Sequence, residues 1–121
     1  DVERDIVGFG AGQALFEQVA DRTGRAPPVI DSRDVLDDPA GVLARLCEAL
    51  GVPYTDAMLH WPAGRRDTDG VWAPHWYASV EASTGFAAPG PRLTQPPAGM
   101  ERLYEQCLPW YERLAAHRLR A

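Results

Sequence analysis

The 121-residue chain contains no lysine and no asparagine, and all twelve of its basic residues are arginine. The absence of lysine excludes a lysine Schiff base and the phosphate-binding lysine of a P-loop within these residues. The chain also has no signal peptide and no apolar run close to the roughly 20 residues that span a bilayer. We therefore expect no membrane partner.

Cysteine and histidine are scarce, which limits the redox and metal chemistry that the chain can carry. Cys47 and Cys107 each lie within an apolar helical pattern, and we interpret them as buried thiols of a protein in a reducing compartment. The cytoplasm is therefore the expected location. The three histidines are scattered without metal-ligand spacing, so no zinc site is predicted.

The length and composition allow one small globular domain at most, to which all of residues 1–121 would belong. Hydrophobic residues make up 45% of the chain, and the formal net charge is −5 with an isoelectric point near 5.1. An acidic chain of this kind is not a general nucleic-acid binder, so we expect no nucleic-acid partner. A local group of arginines could still bind a small anion.

Apolar periodicity and capping residues predict helices along most of the chain. The best-marked helix covers residues 39–50, with Asp38 as its cap, Pro39 in its first turn and Gly51 at its end. The other predicted helical segments are residues 13–22 ended by Gly24, a short turn capped by Thr55, residues 72–83, and residues 98–119 with a kink at Pro109. In the segment 72–83, Trp76 and Tyr77 are expected to pack against the core.

Residues 28–33 form the one segment predicted as a strand, because the apolar pair Val29 and Ile30 is flanked by prolines and acidic residues. A single strand cannot satisfy its own backbone N–H and C=O groups. A strand followed by a capped helix is typical of α/β proteins with a mostly parallel sheet. We therefore expect the chain to be the C-terminal portion of a larger α/β protein whose other strands lie outside these residues.

Glycines at positions 8, 10 and 12 precede a predicted helix, and Asp31 follows about twenty positions later. This arrangement is similar to the phosphate-binding fingerprint of dinucleotide-binding oxidoreductases. The third glycine of that fingerprint would fall at position 13, where Gln13 stands, and no apolar strand precedes Gly8. We favour a flexible helix entry and keep a dinucleotide site as a third hypothesis.

Four aspartates, at positions 31, 34, 37 and 38, could form a carboxylate site. Asp38 is explained as a helix cap, and the other three flank a helix N-terminus, where negative charge is stabilised. We therefore assign this cluster to structure rather than to catalysis.

The stretch RRDTDGVWAPHW, residues 65–76, concentrates arginine and tryptophan in one predicted loop. Arg65 and Arg66 supply fork-shaped donors that suit phosphate or sulfate oxygens. Gly70 permits unusual backbone angles or close approach of a ligand, and Trp72 offers a flat face for stacking or an anchor for the loop. These are the components of an anion-binding loop that also contacts an aromatic base. The alternative is a solvated loop followed by a helix whose tryptophans belong to the core.

This stretch resembles the C-terminal cofactor motif of the P-loop sulfotransferases, Arg-Lys-Gly-x-x-Gly-Asp-Trp-Lys-x-x-Phe. The matching positions are Arg65 and Arg66 for the basic pair, Gly70 for the second glycine, Trp72 for the tryptophan and Trp76 for the terminal aromatic residue. In that family the loop folds over 3′-phosphoadenosine-5′-phosphosulfate and holds its 3′-phosphate. The resemblance implies that Arg65, Arg66, Gly70 and Trp72 bind this co-substrate.

A second resemblance lies upstream. SRDVLDDP, at residues 32–39, and ALGVP, at residues 49–53, are similar to the unit that precedes the cofactor motif in the same family. More narrowly, three segments resemble a bacterial subgroup of sulfotransferase-like proteins: DSRDVLDDP at residues 31–39, WPAGRRDTDGVW at 61–72 and HWYASVEASTGF at 75–86. The resemblance implies the C-terminal part of a P-loop NTPase-like, three-layer α/β fold, mostly helical in this portion, with one clear strand at about 28–33.

Three positions depart from the cofactor motif. Asp67 replaces its first glycine, and Val71 and Ala73 replace the aspartate and a lysine, which removes one cation. The family's P-loop and catalytic base would lie before residue 1. The chain alone is therefore expected to be inactive and to need the N-terminal half of the same domain as its partner. We also expect the isolated chain to be poorly soluble or partly molten.

The resemblance implies that the parent enzyme transfers a sulfuryl group from the phosphosulfate donor to a hydroxyl or amine acceptor. The sequence does not identify that small-molecule acceptor. The alternative hypothesis is a non-catalytic sulfotransferase-like module that binds or stabilises a partner, which the departure at Asp67 favours.

Overall fold

The computed structural model describes residues 8–92 and 95–121, and within them the chain is mostly helical. The helices are α1 (Phe9–Thr23), α2 (Ser32–Asp37), α3 (Pro39–Leu50), α4 (Ala73–Trp76), α5 (Ala78–Ala82) and α6 (Glu101–Ala115), with a 3₁₀ turn at Asp56–Met58 between α3 and α4. Helix α1 packs on α6, α2 on α3, and α4 on α5.

The predicted α/β fold with a strand at 28–33 is wrong, because the described residues contain no strand and no sheet. Val29 forms only an isolated parallel bridge with Arg118, and its carbonyl oxygen accepts a 2.8 Å hydrogen bond from Leu119 N–H. The two prolines before Val29 have no N–H to donate, and α2 begins three residues after it. The extended piece is therefore too short, and too poor in donors, to form a ladder.

The predicted caps at Asp38 and Thr55 and the predicted helix ends at Gly24 and Gly51 are confirmed. Gly24 and Gly51 end α1 and α3 in the left-handed conformation, with φ angles of 71° and 69°. Asp38 caps α3, because its Oδ1 accepts a 2.9 Å hydrogen bond from Gly41 N–H. Thr55 caps the 3₁₀ turn through its Oγ1, which accepts a backbone hydrogen bond at 3.4 Å.

Three predicted helices differ from the observed ones in extent. The helix predicted over 13–22 is α1, which begins earlier, at Phe9, so Gly10 and Gly12 lie inside the helix and not in a flexible entry before it. The helix predicted over 72–83 is interrupted at Tyr77, which separates α4 from α5. The helix predicted over 98–119 is α6, which continues through Pro109 but ends at Ala115. The chain leaves the helical path there because the backbone at Arg118 pairs with the extended segment at Val29.

A glycine permits the close contact between α1 and α6. A Cβ atom built on Gly10 would lie 3.3 Å from the ring of Trp110, which is tighter than an ordinary van der Waals contact. Glycine in a helix interior costs about 1 kcal/mol relative to alanine. One glycine of the apparent dinucleotide fingerprint is thus explained by helix packing.

The apolar core of the described residues is small. Val42 and Ala73 are 1% exposed, and the remaining buried apolar side chains are Val35, Cys47 and Cys107. The predicted burial of the two cysteines is confirmed, and both are free thiols. Large apolar side chains on the helices remain exposed, among them Leu15 at 61% and Leu50 at 56%. The apolar faces of the helices are therefore only partly covered.

None of the described helices is long and apolar enough to cross a membrane.

Candidate functional site

The arginine-rich stretch lies in a long excursion of the chain whose two ends are held together. His60 and Gly85 form an isolated antiparallel bridge, and the backbone N–H of Trp61 donates to Thr84 O at 3.1 Å. The indole N–H of Trp61 also donates to Ser83 Oγ at 2.9 Å. Backbone and side-chain bonds together fix the base of the excursion.

Ring packing and a close backbone approach strengthen this base. The rings of Trp61 and Phe86 meet edge to face, with centroids 5.5 Å apart at an interplanar angle of 83°. Ser83 Oγ lies 2.7 Å from Val80 O, to which it can donate. A Cβ atom on Gly85 would come within 3.1 Å of Leu59 O. The segment Ser-Thr-Gly-Phe at residues 83–86 therefore closes the base rather than lining a site.

Residues 62–72, which we call the arginine loop, extend from this base. Gly64 has a φ angle of 114°, and its N–H donates to Glu81 O at 2.7 Å. A tight turn follows, in which Arg66 N–H donates to Asp69 Oδ2 at 2.8 Å and Asp69 N–H donates back to Arg66 O at 3.0 Å. The guanidinium of Arg66 lies 3.4 Å from Pro62 O. Arg66 is therefore directed back toward the base of its own loop.

Arg65 differs from its neighbour. Its side chain is exposed and makes no hydrogen bond or ion pair with any described residue. Asp67 is also exposed and equally unpaired among these residues. The tip of the arginine loop thus presents one free cation two residues from one free carboxylate.

Gly70 and Trp72 occupy the far end of the arginine loop. Gly70 does not have a positive φ angle, and an added Cβ atom would meet no atom of the chain within 4 Å. The fold itself therefore does not require glycine at this position. Trp72 is 67% exposed, with the ring of His75 6.2 Å away, so it does not anchor the loop to the described core. Ala73, at 1% exposure, provides that attachment.

The prediction that Trp76 and Tyr77 pack against the core is wrong. Trp76 is 74% exposed and Tyr77 is 40% exposed. Their positions at the end of α4 and at the break before α5 leave no continuous helical face to bury. Most of the Trp76 side chain and a large part of Tyr77 are therefore left uncovered by the described residues.

The aspartate cluster is structural, as predicted. Asp31 caps α2 by accepting a 2.8 Å hydrogen bond from Arg33 N–H, and Asp37 pairs with the Arg33 guanidinium at 3.1 Å. Asp34 Oδ2 lies 3.2 Å from Arg118 Nε, close enough for an ion pair, although the N–H is not aligned for a hydrogen bond. No group of three His, Cys, Asp or Glu side chains that could hold a metal ion occurs in 8–92 and 95–121.

Tyr111 joins this cluster from α6, which the sequence reasoning missed. Its hydroxyl donates to Asp31 Oδ2 at 2.6 Å, and Arg118 lies 3.5 Å from the same hydroxyl. The hydrogen bond from Tyr111 holds the pKa of Asp31 below its ordinary value and raises the pKa of Tyr111. The two residues are 80 positions apart, so no spacing in the sequence could have indicated the pair.

A family model described as "Sulfotransferase domain" matches residues 1–118. Two curated relatives from Arabidopsis thaliana are branched-chain-amino-acid aminotransferase-like proteins 2 and 1, which are 36% and 38% identical to the chain over 111 residues. These matches cover 92% of this chain and 20% of each relative, so the chain spans about a fifth of their length. No solved structure matches the chain significantly.

The family match extends over nearly the whole chain, including the arginine loop and the caps of α2 and α3. The chain belongs to the sulfotransferase domain family.

Proposed function

We propose that the arginine loop binds the 3′-phosphate of 3′-phosphoadenosine-5′-phosphosulfate, as part of a protein that transfers the sulfuryl group to a hydroxyl or amine acceptor. The observation that carries the proposal is the unpaired, exposed guanidinium of Arg65 on a loop whose base is closed. A guanidinium without a carboxylate or carbonyl partner keeps all its donors for phosphate oxygens.

The two arginines have different roles in this proposal. Arg65 contacts the phosphate directly. Arg66 shapes the loop, because its backbone closes the turn with Asp69 and its guanidinium lies near Pro62 O. A bound nucleotide would thus contact a loop that is already folded, which reduces the entropy lost on binding.

Gly70 and Trp72 would contact the ligand rather than the protein. The open space around Gly70 lets a ligand approach the backbone where a side chain would intervene. The exposed indole of Trp72 offers a stacking face for the adenine base. Among the described residues, nothing packs against either the open space at Gly70 or most of the Trp72 indole.

Sulfuryl transfer, like phosphoryl transfer, depends mainly on positioning and on stabilisation of charge. The arginine loop would supply positioning. The groups that act on the transferred sulfate, including the catalytic base, would come from polypeptide other than residues 1–121. The exposed apolar side chains of Val71, Trp76 and Val80 support such a partner, because they leave an apolar surface beside the arginine loop available for packing. The free, buried thiols of Cys47 and Cys107 support the cytoplasm as the location.

The test is calorimetric titration of adenosine 3′,5′-bisphosphate into the full-length protein. Removal of a charge-assisted hydrogen bond costs about 1.5–3 kcal/mol, so Arg65→Ala is expected to weaken binding by roughly 10- to 100-fold. Asp67→Asn removes the facing negative charge and is expected to tighten binding several-fold. Arg45→Ala is the matched control, because this exposed arginine lies on α3 and pairs only with Glu48. Equal affinity of Arg65→Ala and Arg45→Ala would contradict the proposal.

A second candidate function is a non-catalytic module that binds a protein partner. It is favoured by the exposed apolar side chains of Val71, Trp72 and Trp76, which are 83%, 67% and 74% exposed. Asp67 at the loop tip also opposes anion binding. Absence of any heat of binding for adenosine 3′,5′-bisphosphate in the unmodified full-length protein would favour this function over the first.

A further inference from the structure

Two adjoining cavities lie along helix α1, far in sequence from the arginine loop. Their volumes are about 470 and 310 Å³, and they share Val19, Pro27 and Pro28 as lining residues. Both volumes fall within or near the range of small-molecule sites, about 300–1,000 Å³. We call the pair the α1 groove.

The two cavities of the α1 groove differ in charge. Arg25 and His117 line the larger cavity, whereas the smaller one is lined by apolar side chains that include Leu15, Phe16 and Leu114. Among the described residues, neither cavity is lined by an Asp or Glu, although the chain carries 17 acidic and 12 basic residues. The groove is therefore cationic at one end and apolar at the other.

The walls at the cationic end are held by local bonds. Thr23 Oγ1 lies 2.8 Å from Val19 O and 3.0 Å from Arg25 O, within hydrogen-bond reach of both. Gly24 takes the left-handed conformation that turns the chain at this point. The ring of His117 packs against Phe16 with centroids 4.9 Å apart. These contacts hold the backbone next to the cation and the imidazole in place.

The guanidinium of Arg25 is available to a ligand. It makes no hydrogen bond or ion pair with any described residue. The apolar end adds hydrophobic stabilisation, about three- to fourfold in Kd for each methylene group that it buries fully.

We propose that the α1 groove binds a free alkyl carboxylate of medium chain length. The carboxylate lies between Arg25 and His117, and the alkyl chain runs over Val19 into the apolar cavity beside Leu15 and Phe16. Charge selects an anion over a neutral or cationic amphiphile, and the apolar cavity selects a long chain over a short one. None of these residues belongs to the arginine loop, so this site and the nucleotide site succeed or fail independently.

The first test compares ligands by calorimetry on the full-length protein. The probes are octanoate, decanoate and dodecanoate, with decyltrimethylammonium as the charge-reversed control. Full burial of two methylene groups would tighten the Kd roughly tenfold. Since the groove is partly open, we expect a tightening of about three- to tenfold per step. Decyltrimethylammonium is expected to bind at least tenfold more weakly than decanoate. Equal binding of decanoate and decyltrimethylammonium, or no dependence on chain length, would overturn the proposal.

The second test uses variants of the two ends of the groove. Arg25→Gln is expected to weaken decanoate binding by about tenfold or more, whereas Arg22→Gln, in the last turn of α1 and outside both cavities, leaves it unchanged. Gly12→Leu fills the apolar cavity without meeting another atom near its Cβ. In that variant the affinity should no longer increase from octanoate to dodecanoate. Unaltered decanoate affinity in Arg25→Gln would refute the contact assigned between Arg25 and the carboxylate. Binding of adenosine 3′,5′-bisphosphate to the same variants reports separately on the arginine loop.

Discussion

Replacement of Tyr111 by phenylalanine removes one hydroxyl that ties α6 to the cap of α2. The hydroxyl donates a 2.6 Å hydrogen bond to Asp31 Oδ2 across 80 residues of chain. A hydrogen bond to a charged group contributes about 1.5–3 kcal/mol when buried. Tyr111 is 39% exposed, so water replaces part of the lost bond. We expect Tyr111→Phe to lower the free energy of unfolding by about 1 kcal/mol, or about 3–6 °C in Tm for a chain of this length.

The pH dependence follows from the pKa directions of the two groups. The pKa of Asp31 is lowered in the folded state, so its stabilisation is present above its ordinary pKa near 3.8 and is lost as the pH falls through the folded value. The pKa of Tyr111 is raised, so its stabilisation is present below its ordinary pKa of 10 and is lost as the pH rises through the folded value. The stability difference between wild type and Tyr111→Phe should therefore be constant near neutral pH and shrink at both extremes.

Urea unfolding followed by circular dichroism measures this difference at pH 3, 7 and above 10. Tyr104→Phe is the matched control, because Tyr104 lies two turns earlier on α6 and its hydroxyl has no hydrogen bond to a described residue. Asp31→Asn keeps a good capping side chain for α2 but removes the charge, which completes a double-mutant cycle with Tyr111→Phe. If Tyr104→Phe and Tyr111→Phe destabilise the chain equally, or if the difference is the same at pH 3 and pH 7, the reasoning is refuted.

Two further predictions concern single helices. Gly12→Ala should raise the Tm, because alanine is about 0.5–1 kcal/mol more favourable than glycine in a helix interior. Gly10→Ala should not show this increase, because its Cβ atom would lie 3.3 Å from the ring of Trp110. Equal thermal shifts of the two variants would contradict this packing argument. Asp38→Ala should lower the free energy of unfolding by about 1 kcal/mol, because Gly41 N–H loses the acceptor that lies 2.9 Å away. Asp38→Asn should lower it little, because asparagine is also a good cap. Urea unfolding of both variants checks this.

Signals that act over a few residues predicted the structure well. Asp38, Gly24, Gly51 and Thr55 were all assigned from their neighbours in sequence, and all four lie at the helix ends where they were expected. Each acts on backbone groups within one turn of itself, so the sequence contains nearly everything that decides the outcome.

The strand at 28–33 failed because strand formation depends on a partner that local sequence does not specify. Val29 and Ile30 have the composition of a strand, but the only backbone partner in the described residues is a single position near Arg118. Asp31 then begins the turn into α2. Composition can indicate a preference for extended backbone, but only pairing converts it into a sheet.

The spacing of Trp72, Trp76 and Val80 led to a different error. The three residues recur every four positions, which predicts an apolar helical face but does not say what covers it. Their exposed fractions of 67%, 74% and 52% show that nothing in the described chain does. Periodicity reports that a face exists, whereas burial depends on the position of the rest of the protein.

The candidate site shows the same limit at the level of single charges. In the sequence Arg65 and Arg66 are equivalent donors, and both match the basic pair of the cofactor motif. In the structure the turn formed with Asp69 engages the backbone of Arg66, and only Arg65 has an exposed side chain without a partner. The free charges at the loop tip are then Arg65 and Asp67, which offset each other. Anion binding at this loop therefore depends on the placement of one guanidinium rather than on a surplus of positive charge, so it should be more sensitive to Arg65→Ala than to added salt.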